Sequence, residues 1–480
     1  MIDCSRRNFL GGAAALFGAG GCRMTGICGD KPQIRFGVIS DIHLTDPASA
    51  ATFERALRYF DSRKVDAVMV PGDLSDWGLL SGLRYVADAW RRVFPKGRGS
   101  DGRKVERLFC TGNHDYEGWW YGDMTMEMHA LGYSEDEALV NLGMKKCWEE
   151  VFEEPFDMFR RRTVNGFEFI SSEFEVRDDA GKWFEANAAS FSKDKPFFYF
   201  THYPAANTVS STLGRTNLPD IAGVLDRFPN LFAFTGHTHW TFNDERSICQ
   251  RGYTAVSIPS MSYTTIPRGY ENGSDVRNGK SKLPMPRIES RFNLEEAQGY
   301  VVSVYPGRME IERRDFTKGG IEAAPAWVVP LPVNAGAKPF TAARAKSAPV
   351  PQFASDAKLE TYTRNFDRRD GYWMIGMMLD FPCASAVRGA RAFDYEVRAL
   401  LADGSSGMTK RFLSPAFHKL PSDEPDRMLF AVDASDLPQE VEYRLAVYPR
   451  NCFGVCGRPL VAAPRKGKPG KDISKGKAWR

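Results

Sequence analysis

Residues 231–240 read LFAFTGHTHW. The run LFAFT is apolar enough to form a strand buried on both faces, and it ends in Gly236, His237, Thr238 and His239. The chain spends only seven histidines over 480 residues. Two of them within three positions, directly behind a buried strand, point to a shared task. Where a strand leaves its sheet, residues spaced by one face the same side. That spacing alone equally permits both rings on one ion and each ring on a different ion.

The same pattern recurs along the chain. IRFGVIS (34–40) runs into Ser40-Asp41-Ile42-His43, VDAVMVPGD (65–73) ends in Gly72-Asp73, and VERLFCTGNHD (105–115) ends in Gly112-Asn113-His114-Asp115. KPFFYFTHYP (195–204) delivers Thr201-His202. Between them ATFERALRYFDSR (51–63) and SGLRYVADAWRRVF (81–94) repeat apolar residues at helical spacing. Strands alternating with helices predict an α/β layered core. In such a sheet ligands bind in the crevice outside the strand carboxyl ends, so these five clusters converge. Taken singly, a DxH or a GD behind a strand is ordinary turn chemistry. The ordered set carries the argument, because it takes in five of the seven histidines. His129 and His418 follow no such strand and read as structural residues.

The gathered side chains are Asp, Asn and His, with no Cys. Imidazole with carboxylate suits Fe, Mn, Zn or Co better than Ca or Cu(I). Asp41, His43, Asp73, Asn113, His202, His237 and His239 are too many for one ion. They suit a dinuclear metal centre with two ions about 3.5–4 Å apart and a bridging carboxylate.

In this order SDIH, GD, GNHD, TH and GHTH resemble the calcineurin-like metallophosphoesterase superfamily, over residues 33–316. The resemblance implies an α/β fold of two sheets sandwiched together and flanked by helices. It implies that Asp41, His43 and His239 hold one metal and that Asn113, His202 and His237 hold the other. Asp73 would bridge the two together with a hydroxide that attacks a phosphodiester. His114 would be the catalytic residue facing the leaving oxygen. Asp76 and Asp115 adjoin ligands and read either as residues that orient them or as plain turn acids. Asp76 stands where purple acid phosphatases carry a tyrosine ligand, and GNHDYEG departs from the GNHEFD of secreted 5′-nucleotidases. GDLSDWG, GNHD and THYP are more similar to the class III cyclic-nucleotide phosphodiesterase group. The expected activity is therefore that of a metal-dependent phosphoric ester hydrolase acting on a small-molecule or envelope phosphodiester. A phosphomonoesterase using the same site is the alternative. A non-catalytic envelope binding protein is a third reading, disfavoured because no ligand is missing. The run from Tyr116 to Tyr121 (YEGWWY) and Tyr203 are candidate walls of the substrate pocket.

The flanks complete the expectation. MIDCSRRNFLGGAAALFGAGGC (1–22) sets Arg6 and Arg7 before an apolar stretch. That stretch is shorter than the roughly 20 residues a membrane span needs. It resembles a twin-arginine export signal, implying a periplasmic or extracellular protein with no transmembrane span in the mature chain. Cys22 is a candidate for lipid anchoring, although the residues before it lack the usual Leu. Nine cysteines without a CxxC pair give no structural zinc site, and Cys452 with Cys456 is a candidate local disulfide. A net charge of +4 with no basic, aromatic-interleaved stripe argues against a nucleic-acid polymer as partner. Residues 268–296 are polar and read as a long loop. QGYVVSVYPGRMEIERRDF (298–316) predicts a hairpin around Tyr305-Pro306-Gly307. Residues 317–350, rich in Pro and Ala, read as a linker. Residues 351–463 read as a small β-sandwich, where 441–460 resemble the last strands of a fibronectin type III module. Residues 464–480, with seven Lys/Arg and one Asp, read as a basic disordered tail.

Overall fold

The computed structural model describes residues 31–117, 143–273, 297–333, 337–367, 373–418 and 425–466. The proposed signal, His129, Trp119 to Tyr121, most of the 268–296 loop and the end of the basic tail lie outside the described residues.

Strands β1 (Ile34–Val38), β2 (Ala67–Pro71) and β3 (Glu106–Cys110) run parallel, with helices α1 (Pro47–Ser62) and α2 (Leu80–Val93) between them. Helix α1 begins at a capping box. The Asp46 carboxylate accepts from the backbone of Ala48 and Ser49, Ser49 returns the bond, and Pro47 sits at the first helical position. Phe53, Leu57 and Phe60 line one face of that helix, and Leu83, Val86 and Trp90 one face of α2; all six are buried on the same sheet.

The chain then builds a second sheet from β4 (Phe159–Val164), β5 (Phe167–Ser172), β6 (Phe197–Thr201), β7 (Leu231–Thr235), β8 (Ile248–Gln250) and β9 (Thr254–Ser257). Its order is β4-β5-β6-β7-β9-β8, parallel except at the two edges. β10 (Gln298–Tyr305) and β11 (Arg308–Asp315) return to the first sheet as the expected hairpin. Pro306 and Gly307, the latter at φ 81°, turn it in two residues.

The two sheets face each other across an apolar layer. Phe36 at its centre meets Phe169, Phe198 and Phe234 edge-on, with centroids 4.8–6.1 Å apart. Helices cover both outer faces, giving four layers. β1, β2, β3, β6 and β7 are therefore buried on both sides, which is why they read as continuous apolar runs.

The expected linker is corrected. Ile321–Pro330 is β12, the edge strand of the first sheet in the order β12-β11-β10-β1-β2-β3. Its prolines are tolerated because an edge strand has one side free of ladder bonds, and its register with β11 shifts on either side of Arg313, which pairs with Ala324. Trp327 and Val329 point into the layer between the sheets. Phe340 then exchanges hydrogen bonds with Gln250 on β8, so this stretch is packed rather than spacing.

The C-terminal part is a sandwich of antiparallel sheets. β13 (Glu360–Asp367), β14 (Trp373–Pro382) and β17 (Arg427–Asp433) form one sheet. β15 (Asp394–Leu401), β16 (Ser406–Leu413), β18 (Glu442–Arg450), β19 (Leu460–Val461) and β20 (Arg465–Lys466) form the other. Phe381, Tyr395, Val397, Phe412, Phe430 and Val447 fill the space between them. Arg465 and Lys466, expected in the tail, instead pair with β18. Cys452 and Cys456 are both free, correcting the local disulfide: Cys452 is buried against Phe393, Leu413 and Phe417. Among the described residues no helix is long and apolar enough to cross a membrane.

Candidate metal centre

All five predicted clusters arrive at the same end of the sheets. Asp41 and His43 follow β1, Asp73 follows β2, Asn113 and His114 follow β3, His202 follows β6, and His237 and His239 follow β7. Asp41, His43, Asp73, His237 and His239 all have positive φ, between 45° and 68°. Each such residue costs on the order of 1–3 kcal/mol, so the surroundings must impose it. They do so through buried backbone bonds: Asp41 N–H donates to the Gly72 carbonyl (3.2 Å), His43 N–H to that of Asp73 (3.0 Å), and His237 N–H to the Asp41 carboxylate (3.0 Å). Close approach is the second requirement. A Cβ at Gly112 would stand 2.2 Å from Oδ1 of Asp73, and one at Gly236 2.5 Å from Oδ2 of Asp41.

The outer nitrogens of three rings fix their tautomers. Nδ1 of His202 donates to the Pro71 carbonyl (3.0 Å), Nδ1 of His239 to the Tyr263 carbonyl (3.1 Å), and Nδ1 of His43 to the Asp76 carboxylate (2.6 Å). A carbonyl can only accept, so in the neutral rings Nε2 carries a lone pair. Those lone pairs converge with oxygen acceptors. Nε2 of His43 and His239 are 3.1 Å apart, and Nε2 of His239 is 3.0 Å from Oδ1 of Asp41. The donor atoms of Asp41, His43, Asp73 and His239 all lie within 4.8 Å of one another. On the other side Nε2 of His202 is 3.1 Å from Oδ2 of Asp73 and 3.0 Å from Oδ1 of Asn113, which is itself 3.0 Å from Nδ1 of His237. Oδ2 of Asp73 is buried and faces Nε2 of His202 at 3.1 Å and Nε2 of His43 at 3.6 Å. In the neutral tautomers these inward-facing acceptors suit a bound cation.

Electrostatics agrees. Burial opposes ionisation of Asp73, but His202, His114 and His43 outweigh it and hold the carboxyl well below its ordinary range. Burial likewise opposes charge on His202, yet Asp73 and Asp41 lift that ring to about 9. His237 is pushed down to about 3, by burial first and then by the charge on His202. The carboxylates thus attract positive charge, and the His237 ring stays neutral. Asp, Asn and His atoms facing inward on both sides of Asp73 fit metal ions, whose binding would displace the proton that Asp73 otherwise holds on His202.

His237 and His239 go to different halves of the cluster. The reason differs from strand alternation, since β7 ends at Thr235 and both histidines take left-handed backbone around Thr238, whose hydroxyl turns to Ser257 (3.1 Å). Asp76 holds His43 as described. Asp115 does not touch a ligand side chain: its carboxylate accepts from the backbone N–H of Gly112, Leu74 and Ser75, tying the GD loop to the GNHD loop. Burial, then the nearby charge of Asp73, raises it to about 7. Nδ1 of His114 lies 2.9 Å from the Asp76 carbonyl oxygen and 3.4 Å from its carboxylate, and the ring is partly exposed. Tyr203 stacks on His237 with centroids 4.0 Å apart, whereas Tyr116 is buried against Phe174.

The sequence reading missed the segment after β9. Tyr263 orients His239 through its carbonyl and lays its ring 4.0 Å from that imidazole. Ser260 and Ser262 donate to the Asp41 carbonyl (3.0 and 3.2 Å). PSMSY (259–263) contains no metal-type residue; its only signal is its position behind another strand of the same sheet.

Residues 34–241 match the family model described as calcineurin-like phosphoesterase. Among solved structures, a dimetal phosphatase from Danio rerio is 13% identical, with 62% of this chain and 99% of that chain covered and a TM-score of 0.36. A purple acid phosphatase from yellow lupin seeds is 14% identical, with 68% and 58% covered and a TM-score of 0.39. An archaeal phosphodiesterase is 11% identical, with 62% and 100% covered and a TM-score of 0.23. No curated protein matches the chain. The family match and the ligand cluster support a metal-dependent phosphoester hydrolase.

Proposed function

We propose that residues 34–241, a calcineurin-like phosphoesterase domain, make this chain an exported dinuclear phosphodiesterase. The observation that carries the dinuclear reading is Asp73. Its buried carboxylate stands between the His43/His239 group and the His202/Asn113 group, with Oδ2 3.6 Å from Nε2 of His43 and 3.1 Å from Nε2 of His202. Asp41, His43 and His239 would hold one ion, Asn113, His202 and His237 the other, with Asp73 shared. Two transition-metal ions, when bound, supply a water nucleophile at neutral pH and neutralise charge on a phosphoryl group.

The chain's own residues do the rest. Asp76, Tyr263 and Pro71 hold three imidazoles in the tautomer that can ligate. Tyr203 and Tyr263 wall the two outer histidines and keep bulk water from their faces. His114 is anchored through Nδ1 on the Asp76 carbonyl, and in its imidazolium form its other ring nitrogen would donate a proton to the leaving oxygen and return the ring to neutral. The diester preference rests on the resemblance of GDLSDWG, GNHD and THYP to the cyclic-nucleotide phosphodiesterase group, and export rests on the paired arginines Arg6 and Arg7.

The test is a paired assay. Purified protein loaded in turn with Mn, Fe, Zn and Co is given bis(p-nitrophenyl) phosphate and p-nitrophenyl phosphate. The diester should be cleaved with the higher kcat/KM. Faster cleavage of the monoester would replace the diester reading, and cleavage of neither with any metal would remove the enzymatic one.

A further inference from the structure

Two segments that leave the metal centre run directly into the C-terminal sandwich. The first starts at His239. Asn243 donates through Nδ2 to the Phe417 carbonyl (2.7 Å), and the Arg246 guanidinium lies over the Phe393 ring (5.0 Å) while pairing with buried Asp244 (2.7 Å). The second is Ser260–Gly273. It begins with the contacts that shape the site: Ser260 and Ser262 on the Asp41 carbonyl, the Tyr263 carbonyl on His239, and Thr265 N–H on the His239 carbonyl (2.9 Å).

It then enters the sandwich. Ile266 and Tyr270 pack against Phe393, Leu413, Phe417 and Cys452. The Tyr270 hydroxyl donates to Asp394 (3.0 Å), and Glu271 N–H donates to the Arg411 carbonyl (2.9 Å). Asn272, fully buried, takes the place of a neighbouring strand at the end of β16. Its Nδ2 donates to the Leu413 carbonyl (3.0 Å) and its Oδ1 accepts from Leu413 N–H (2.8 Å). A side chain that satisfies both backbone groups of one edge residue fixes position in two directions, and its loss leaves a buried donor and acceptor unpaired.

We propose that the C-terminal sandwich is a positioning element for the metal centre, with Asn272 and Tyr270 as its positioning residues. By clamping the end of the Ser260–Gly273 segment it holds the Tyr263 carbonyl against Nδ1 of His239 and the two serine hydroxyls against Asp41. Both contacts fall on the half of the centre formed by Asp41, His43 and His239, so the clamp acts on that half selectively. The inference rests on the dinuclear reading above.

The experiment uses the full chain and measures Mn or Zn binding by calorimetric titration, with metal content of the dialysed protein as a second readout. His239→Ala identifies the ion held by that half. Asn272→Ala should weaken the same ion about tenfold to a hundredfold, the range for loss of a partner that orients a ligand, and leave the other ion within about twofold of wild type. Tyr270→Phe, which keeps the ring in its apolar cluster, should weaken the same ion by less. Phe430→Leu, in the sandwich core away from the clamp, should lower the melting temperature and leave both affinities unchanged. Wild-type affinities in both Asn272→Ala and Tyr270→Phe would overturn the clamp, as would an equal loss in Phe430→Leu. A wild-type chain that bound fewer than two ions would overturn the dinuclear reading and the inference together, which distinguishes the two failures.

Discussion

The Nε2 atoms of His43 and His239 lie 3.1 Å apart, while the Nδ1 of each ring is already committed, to Asp76 and to the Tyr263 carbonyl. When both rings are neutral, their Nε2 lone pairs face each other. A cation between them relieves that arrangement.

Asp73→Asn should therefore remove more than one ligand's worth of affinity. The substitution keeps the shape, but its amide takes away the charge shared by both halves and places an N–H donor or a neutral oxygen among the rings. Metal content of the dialysed protein should fall from two ions to one or none, with hydrolysis of an activated diester falling at least about 10²-fold, in line with the metal's share of charge stabilisation. Retention of two ions and near-normal rates would remove Asp73 from the bridging position.

Asp76→Ala tests an orienting role. The carboxylate touches His43 through Nδ1 (2.6 Å) and lies 3.4 Å from Nδ1 of His114, so the variant should loosen both rings. The ion on the His43 side should bind about tenfold to a hundredfold more weakly. At saturating metal kcat should stay depressed, because His114 has lost its support. Full recovery of kcat at high metal would confine Asp76 to holding His43.

Much of this centre was legible in the chain because chemistry and periodicity coincide at strand ends. Each buried parallel strand reads as an apolar run, and the residues behind it are polar for no structural reason of their own. Asp41, His43, Asp73, Asn113, His202, His237 and His239 all stood out in that way. What acts through backbone atoms did not. The carbonyls of Pro71 and Tyr263 orient two histidines, and no side-chain type announces a carbonyl. β12 was hidden for a related reason: Pro325 and Pro330 argue against a central strand, and only the sheet order places them at an edge where they do no harm. The left-handed backbone of five ligands was also invisible, since Asp and His carry no glycine-like signature.

Gly112→Ala examines the packing behind the site. The new Cβ would stand 2.2 Å from Oδ1 and 2.4 Å from the backbone nitrogen of Asp73, and the backbone cannot rotate away. Overpacking of this kind costs about 1–3 kcal/mol. The expected result is a lower denaturation midpoint with an unchanged m-value, together with weakened binding of both ions. Gly223→Ala is the matched control: nothing lies within 4 Å of its Cβ position, so metal binding should stay as in wild type and the midpoint should stay or rise slightly, as for Gly→Ala in a helix. Equal behaviour of the two variants would show that the contact at Asp73 is not limiting.

Asp394 sits where the sandwich meets the Ser260–Gly273 segment, accepting from the Tyr270 hydroxyl at 3.0 Å with Arg450 at 3.3 Å. Burial, only partly offset by Arg450 and Tyr270, raises its carboxyl from the ordinary aspartate range to about 6. The sign is opposite to that of a salt-bridged surface acid. A folded-state pKa above the unfolded one means the native state binds the proton more tightly, so this group's contribution is fully present below about pH 4 and is lost as pH rises through about 6. About two pH units correspond to at most about 3 kcal/mol. Asp394→Asn mimics the protonated form, so it should be relatively more stable than wild type at pH 7 and gain nothing at pH 4. The difference between the two proteins should therefore grow from pH 4 to pH 6.5 and then level. Denaturant midpoints measured across that range, on protein stripped of metal so that the centre itself does not contribute, check the point. A difference that shrank with rising pH would mean that Asp394 is held as a carboxylate by Arg450 and that burial does not govern it.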